Sequence, residues 1–467
     1  MSTQSSSCFS LSGALGASGG SHACFQFGPD NDILVSDLLR TSVLGPQPRD
    51  LTGRSVLIAT VDPCTAALAL IELDGRARRI VLCPPDFSIR DLSYVVQVAE
   101  VDALVTDQYF VRHDKSAVES FPTSPPILAS FQRTSRPSHE TEWILLTSGT
   151  TGRPKLVAHT LTTLCGAIQA PTSPRSDFVW STFYDIRRYG GLQIFLRAIL
   201  SGASLVLPGA HETIPQFFAR AASCHVTHIS GTPSHWRKAL LYPESALIEP
   251  RYVRLSGEIA DQSILNHLRN MYPTAMVAHA FASTEAGVAC EVNDGIAGLP
   301  ADLFHADGDP AMRVVDDSLH IRSSRTALRY LGDLERPLHD AAGFVDTGDL
   351  LELREGRYFF AGRRDGVVNV GGLKVHPEEV EAVLNRFPDV QMSLVRSRKN
   401  MVTGALVTAE VVLRGESRGD DSRSPTLSQE ILLFCREWLP SHKVPATIRI
   451  VSSLPITASG KLSRRDA

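Results

Sequence analysis

Thr147-Ser148-Gly149-Thr150-Thr151-Gly152-Arg153-Pro154-Lys155 is the densest run of phosphate-binding chemistry in the chain, and the rest is read outward from it. Hydroxyls, two glycines, backbone N–H groups and two cations fall in one short stretch, the composition of a loop that wraps phosphate oxygens. An apolar run at 142–146, expected as a strand, delivers the chain to it. It is not a Walker A loop. Counting from Gly149, the sixth position is Pro154 where glycine is required, and Leu156 stands where Ser or Thr would bind magnesium. Taken alone, the run also reads as a flexible turn after a strand.

Upstream, the pattern alternates: strand at 55–60, helix at 63–73, strand at 79–82, helix at 91–101, strand at 103–106. Such alternation is a βαβ signal and implies a parallel sheet covered by helices. Residues 115–139, with many Pro and Ser, read as an irregular connection. Apolar elements continue through 195–207 and 251–281. After Gly362 the character changes to strands at 391–396 and 405–413, a helix at 428–438 and a strand at 447–451. The expected fold is a large α/β N-terminal domain with mainly parallel sheets and a small, mobile α+β C-terminal domain. The expected boundaries are 1–50 for a short, partly flexible lead-in, 51–361 for the large domain and 362–467 for the small one.

A chain of 467 residues exceeds what a single core usually supports, in line with that division. Lys and Arg number 46 against 50 Asp and Glu, with no long basic run, so nucleic acid is not an expected partner. The longest apolar stretch, near 65–73, is too short for a bilayer, which needs about 20 residues, and no membrane span is expected. No basic leader opens the N-terminus, and the default expectation is the cytoplasm. Eight cysteines without a CxxC pair suggest neither a disulfide framework nor a zinc knuckle.

Four further segments carry chemistry. Phe281-Ala282-Ser283-Thr284-Glu285 gathers an aromatic ring, a hydroxyl and a carboxylate, suited to adenine, phosphate and Mg²⁺. Asp346-Thr347-Gly348-Asp349 would present a carboxylate to a ribose diol. Gly362-Arg363-Arg364-Asp365 and Gly371-Gly372-Leu373-Lys374 bracket the change of domain, and Ser459-Gly460-Lys461 sets an ammonium on a small-residue loop. Each has a bland reading as a turn, linker or tail. Their joint occurrence in this order does not.

On these motifs the sequence resembles the adenylate-forming superfamily of acyl-CoA synthetases, peptide-synthetase adenylation domains and luciferases, from Leu51 to Lys461. The resemblance implies that Thr147, Ser148, Gly149, Thr150, Thr151, Gly152 and Lys155 form the phosphate loop. Phe281 would stack on adenine, Thr284 would touch the α-phosphate, and Glu285 would bind Mg²⁺. Asp349 would take the ribose hydroxyls beside Arg363, and Asp365 would be the pivot between domains. Lys461 would bridge carboxylate and α-phosphate as charge builds. Departures from the family pattern are Phe281-Ala282 for the usual Tyr-Gly, Leu156 for a frequent glycine, and an abbreviated region before Leu51.

The implied activity is that of an ATP-dependent acid-thiol ligase, using ATP, Mg²⁺ and a small carboxylic acid. Coenzyme A is the expected acyl acceptor, because no carrier-protein segment follows Lys461. The alternatives are a stand-alone enzyme that loads a carrier protein, or a nucleotide-binding protein without turnover. By resemblance the acid pocket draws on 183–191, 229–234 and 256–259. Arg187 and Arg188 beside Asp185 would neutralise it or repel an ammonium, so an aromatic or mainly apolar acid is expected rather than an amino acid. Two other clusters invite a blander reading. His225 and His228, three apart on an expected strand, would point to opposite faces. Glu378, Glu379 and Glu381 fit the start of a helix.

Overall fold

The computed structural model describes residues 10–18, 23–29, 32–45, 50–107, 118–123, 127–128, 138–147, 153–169, 175, 177–304, 307–332, 337–400, 404–415, 424–457 and 459–464. Two sheets dominate the larger part. In the first, strands Ser55–Ile58, Arg79–Leu82, Ala103–Thr106 and Glu142–Thr147 run parallel, linked by helices Pro63–Leu73 and Ile89–Val98, as the alternating pattern implies. Asp62 caps the first of these helices through Thr65 N, and Pro63 occupies its first turn, where a missing N–H costs nothing. The helix Pro63–Leu73 is buried nearly all round, and its run of Ala and Leu packs between layers.

The second sheet has the order Gly287–Val292, Met276–Ser283, Tyr252–Ser256, His228–Gly231, Val179–Thr182, Ser204–Leu207, Cys24–Phe27, Asp32–Leu34. Its middle strands are parallel and its two edges antiparallel. The stretch before Leu51, read from sequence as a lead-in, supplies the strand Cys24–Phe27, with Phe25 and Phe27 in the main apolar cluster. The connection at 115–139 differs from its irregular reading in its described parts. Glu119–Pro122 pairs parallel with Ala103–Thr106, and Ile127–Leu128 pairs with Thr41–Ser42. Polar, Pro-rich composition hid them because both are short pairings outside the central layers.

A five-stranded antiparallel sheet, which carries Val345–Arg354 and Arg357–Arg363, completes the larger part. Beyond it, Val390–Asn400, Gly404–Leu413 and Thr447–Ile450 form a three-stranded sheet that shares an apolar cluster with helices Pro377–Leu384 and Ser424–Trp438. The apolar clusters on the two sides do not merge: those of the larger part end by Phe360, and those of the smaller begin at Val368. No helix among the described residues is long and apolar enough to cross a membrane.

Candidate active site

Thr147 and Lys155 face each other across an antiparallel pair, Glu142–Thr147 against Lys155–His159. The glycine-containing loop therefore closes a hairpin, whereas a Walker A loop joins a strand to a helix. Ser148, Gly149, Thr150, Thr151 and Gly152 lie outside the described residues. At the loop's edges, Thr147 Oγ1 is buried without a hydrogen-bond partner among the described residues, and Lys155 Nζ stands 5.4 Å from the centre of the Tyr330 ring. An orphaned hydroxyl and an available ammonium suit a phosphate-bearing ligand.

The same hairpin strand ends at His159, which is fully buried. Its Nε2 donates to the Thr284 carbonyl at 2.7 Å, and Nδ1 meets Thr163 Oγ1 at 2.9 Å. Burial lowers its pKa to about 4, so the ring is neutral and its orientation is set by these bonds. On the other flank, Ala327 N donates to the Glu285 carbonyl. The turn after Met276–Ser283 is thus pinned from both sides, and Thr284 and Glu285 are held against the phosphate hairpin. Gly287 finishes this turn at φ +73°, where a Cβ would meet the Arg325 carbonyl at 2.5 Å. Tyr330 Oη lies 3.4 Å from Glu285 Oε1. The Phe281 ring lies parallel to Phe360, with centroids 5.3 Å apart, so one of its faces is already covered.

Asp349 and Arg363 are direct register partners on Val345–Arg354 and Arg357–Arg363, with Oδ1 and Nη1 3.6 Å apart. Burial raises the Asp349 pKa, against the pull of Arg363, a bond from Thr347 and the Lys461 ammonium, while Glu285 adds repulsion. Lys461 and Glu285 are therefore both within electrostatic reach of Asp349. Asp365, two residues past Arg363, sits exposed in a short turn at 364–366.

Lys461 reaches this place from the small domain through a set of anchors that the sequence motifs do not contain. Thr232 Oγ1 donates to the Gly460 carbonyl. Glu258 accepts Leu462 N at 3.0 Å on one oxygen and Ser234 N at 2.9 Å on the other. Gly460, at φ +75°, lies flat on His235, and a Cβ there would fall 1.8 Å from the ring. The Lys461 side chain then passes Gly257, with its Cε 3.6 Å from where a Gly257 Cβ would stand. Three residues on, Arg464 pairs with Glu378 and Glu381. Glu378 and Glu379 do occupy a first helical turn. Glu381 points inward instead, taking Val395 N and Arg464, and burial pushes its carboxyl up to about 8.

Asp185 is held by Arg187 in a bidentate pair, 2.7 and 2.6 Å, while Arg188 pairs with Asp86. Arg187 is buried and also donates to the Thr60 carbonyl. A cleft of about 340 Å³ is lined by residues 183–187 together with Val61, Pro63 and Pro85. Lys461, Glu285 and Asp349 do not line it. His225 turns out to precede the strand His228–Gly231 in a left-handed turn, φ 53°, rather than to lie on it. His228 is buried against Phe178 and Trp180.

Residues 65–319 match the model of the AMP-binding enzyme family, and residues 379–461 match that family's C-terminal domain. The chain belongs to the AMP-binding enzyme family. It is similar to the 3-[(3aS,4S,7aS)-7a-methyl-1,5-dioxo-octahydro-1H-inden-4-yl]propanoyl:CoA ligase of Rhodococcus jostii (strain RHA1), at 28% identity over 69% of this chain and 63% of that protein. It also resembles the 2-succinylbenzoate–CoA ligase of Bacillus velezensis (strain DSM 23117 / BGSC 10A6 / LMG 26770 / FZB42), at 24% identity over 85% of this chain and 78% of that protein. The alignments with the first relatives span less than two thirds of those proteins, 63% and 64%. The fold is that of the anthranilate CoA ligase AuaEII solved with anthranoyl-AMP: TM-score 0.79, 19% identity, 98% of this chain and 96% of that one.

Proposed function

We propose that this family member is an ATP-dependent ligase that adenylates a carboxylic acid and passes the acyl group to the thiol of coenzyme A. The observation that carries the reading is the delivery of Lys461, by Thr232 and Glu258, to within electrostatic reach of Asp349. An ammonium there lowers the barrier for bringing two anions together, the carboxylate and the α-phosphate, as charge accumulates between them.

In this reading Lys155, Thr147 and the loop 148–152 hold the β- and γ-phosphates, and Thr284 contacts the α-phosphate. Adenine stacks on Phe281, and Asp349 beside Arg363 takes the ribose hydroxyls. Glu285 would be the protein's carboxylate for Mg²⁺, an ion commonly bound by one or two carboxylates together with phosphate groups, and it would supply neutralisation of phosphate charge. A lone carboxylate beside a triphosphate suits that donor set, and no three-residue metal cluster is found among the described residues. The smaller domain then turns about Asp365 to exchange Lys461 for the thiol.

The acid lacks an ammonium in this proposal. Asp185, the carboxylate best placed to receive one, is fully engaged by the buried Arg187. The test is carboxylate-dependent ATP–pyrophosphate exchange over a broad panel of acids, followed by mass detection of CoA thioesters. Exchange without thioester on CoA, but with transfer to a phosphopantetheinylated carrier protein, would replace the acceptor. Exchange with no acid would remove the activity.

A further inference from the structure

On the strand Tyr252–Ser256, Val253 and Leu255 enter an apolar cluster with Trp236 and Ile264, so Arg254 and Ser256 face the other way. The register places Thr182, Ser230 and Arg254 side by side across three parallel strands on that opposite face. Arg254 is 2% exposed. Its Nε meets Glu291 at 3.0 Å and its Nη1 reaches Ser256 Oγ at 3.5 Å, but Nη2 is buried with no partner among the described residues. Ser230 Oγ beside it is equally unsatisfied, as is Nε of Arg197 on the helix Tyr189–Ser201. Burial and the Arg254 charge both push the Arg197 pKa down, which puts the two cations in the same neighbourhood.

Among the described residues the local charge does not balance. Two guanidiniums share this neighbourhood with Glu291, whose side chain is 36% exposed and therefore partly screened by solvent. A water molecule would satisfy an orphaned N–H but would leave the excess positive charge. Leaving a buried guanidinium N–H unpaired costs more than leaving a neutral donor unpaired. Arg254 is also well placed along the strand. Ser256 is two residues further, about 7 Å at strand rise, and the next residue is Gly257, against which the Lys461 side chain lies.

We infer that the acid activated here carries a second, distal carboxylate, received by Arg254 Nη2 and the Ser230 hydroxyl while its reacting carboxylate lies at Lys461. The inference rests on the adenylation reading and names its substrate class: a small dicarboxylic acid whose carboxyls are separated by a short apolar or aromatic spacer. Tyr184 and Tyr189, whose hydroxyls burial keeps protonated, are both within electrostatic reach of Arg254, and the apolar expectation applies to the middle segment of the acid alone.

The test is pyrophosphate exchange with matched pairs, benzene and straight-chain dicarboxylic acids against the same acids with the distal carboxyl replaced by methyl. The expected result is a preference in kcat/KM for the diacid of about 10²-fold or more, because a site built around a polar group rejects the analogue that lacks it. Arg254→Leu should abolish or reverse that preference, and Ser230→Ala should reduce it about tenfold, in the range of one charge-assisted hydrogen bond. Arg254→Leu combined with Glu291→Gln removes both charges together and gives a second route if the single variant melts early. Monoacids used as well as diacids by the native protein, or a diacid preference that survives Arg254→Leu, would overturn the inference and leave adenylation standing. Silence across the whole panel would overturn both.

Discussion

The Thr232 hydroxyl donates to the carbonyl of Gly460, a bond between the first turn of a helix in the larger part of the molecule and the loop that carries Lys461. The two residues lie 228 positions apart in sequence. Through this contact the small domain holds the Lys461 loop against the larger part.

Lys461→Ala should lower thioester formation from acid plus ATP by about 10²-fold or more, the size of a lost electrostatic contact in a transition state. Formation of thioester from synthetic acyl-AMP plus CoA should be largely spared, since no new charge has to be gathered at Lys461 in that step. Both assays are run on one purified, folded variant. A parallel loss in both would make Lys461 structural.

Gly460→Ala should reproduce much of that defect without touching the ammonium. The added Cβ would sit 1.8 Å from the His235 ring, and the left-handed backbone at φ +75° adds about 1–2 kcal/mol for any residue with a Cβ. The clash is the larger effect, so the double variant Gly460→Ala with His235→Ala should recover adenylation in part. No recovery would mean that the flat contact on His235 is not what seats the loop.

Asp365→Pro should divide the two half-reactions. Proline fixes φ near −65° and constrains the residue before it, so one of two domain orientations is lost. Pyrophosphate exchange and transfer from preformed acyl-AMP are measured side by side. Equal losses in a folded protein would argue against rotation at this position.

Acid should destabilise the fold through His159. Its folded pKa of about 4 lies below the ordinary value of 6.5, so the unfolded chain binds a proton that the native state refuses. The stabilisation is complete above pH 6.5 and declines as pH falls toward 4, by up to about 1.4 kcal/mol per pH unit for this group. Denaturant midpoints at pH 7, 6 and 5 give the slope. His159→Gln should be less stable at pH 7, having lost the bond to Thr284, yet show a shallower decline.

Local order was legible where the pattern was local. The helix Pro63–Leu73 and the strands Arg79–Leu82 and Ala103–Thr106 stand where the alternating pattern puts them, because each buries an apolar run of the right length between turn residues. The strand Cys24–Phe27 was not legible, since what makes it a strand is Ser204–Leu207, far along the chain. The motifs named Thr284, Glu285, Asp349 and Lys461, residues whose chemistry is visible in their side chains. Sequence reasoning placed Thr232 and Glu258 only within the expected pocket segments and passed over His235; that these residues receive a loop from elsewhere was not legible, since a helix-capping Thr-Pro pair gives no sign of a second task. Arg254 reads as a polar interruption in a strand. Its unsatisfied N–H exists only once its neighbours have closed around it.

The joint between the two parts is held by exchangeable bonds. Arg237 Nη1 and the Gln391 carbonyl, Gln391 Nε2 and the Arg237 carbonyl, Asn385 Nδ2 and Asp261, Arg414 and His267 all cross it, alongside the contacts of Thr232 and Glu258. Water can replace each of these partners if the surfaces separate, and each half keeps its own apolar cluster. If the proposed rotation occurs, such a seam would act as a clasp that opens and refastens, and mild chaotropes should loosen it well before they melt either half.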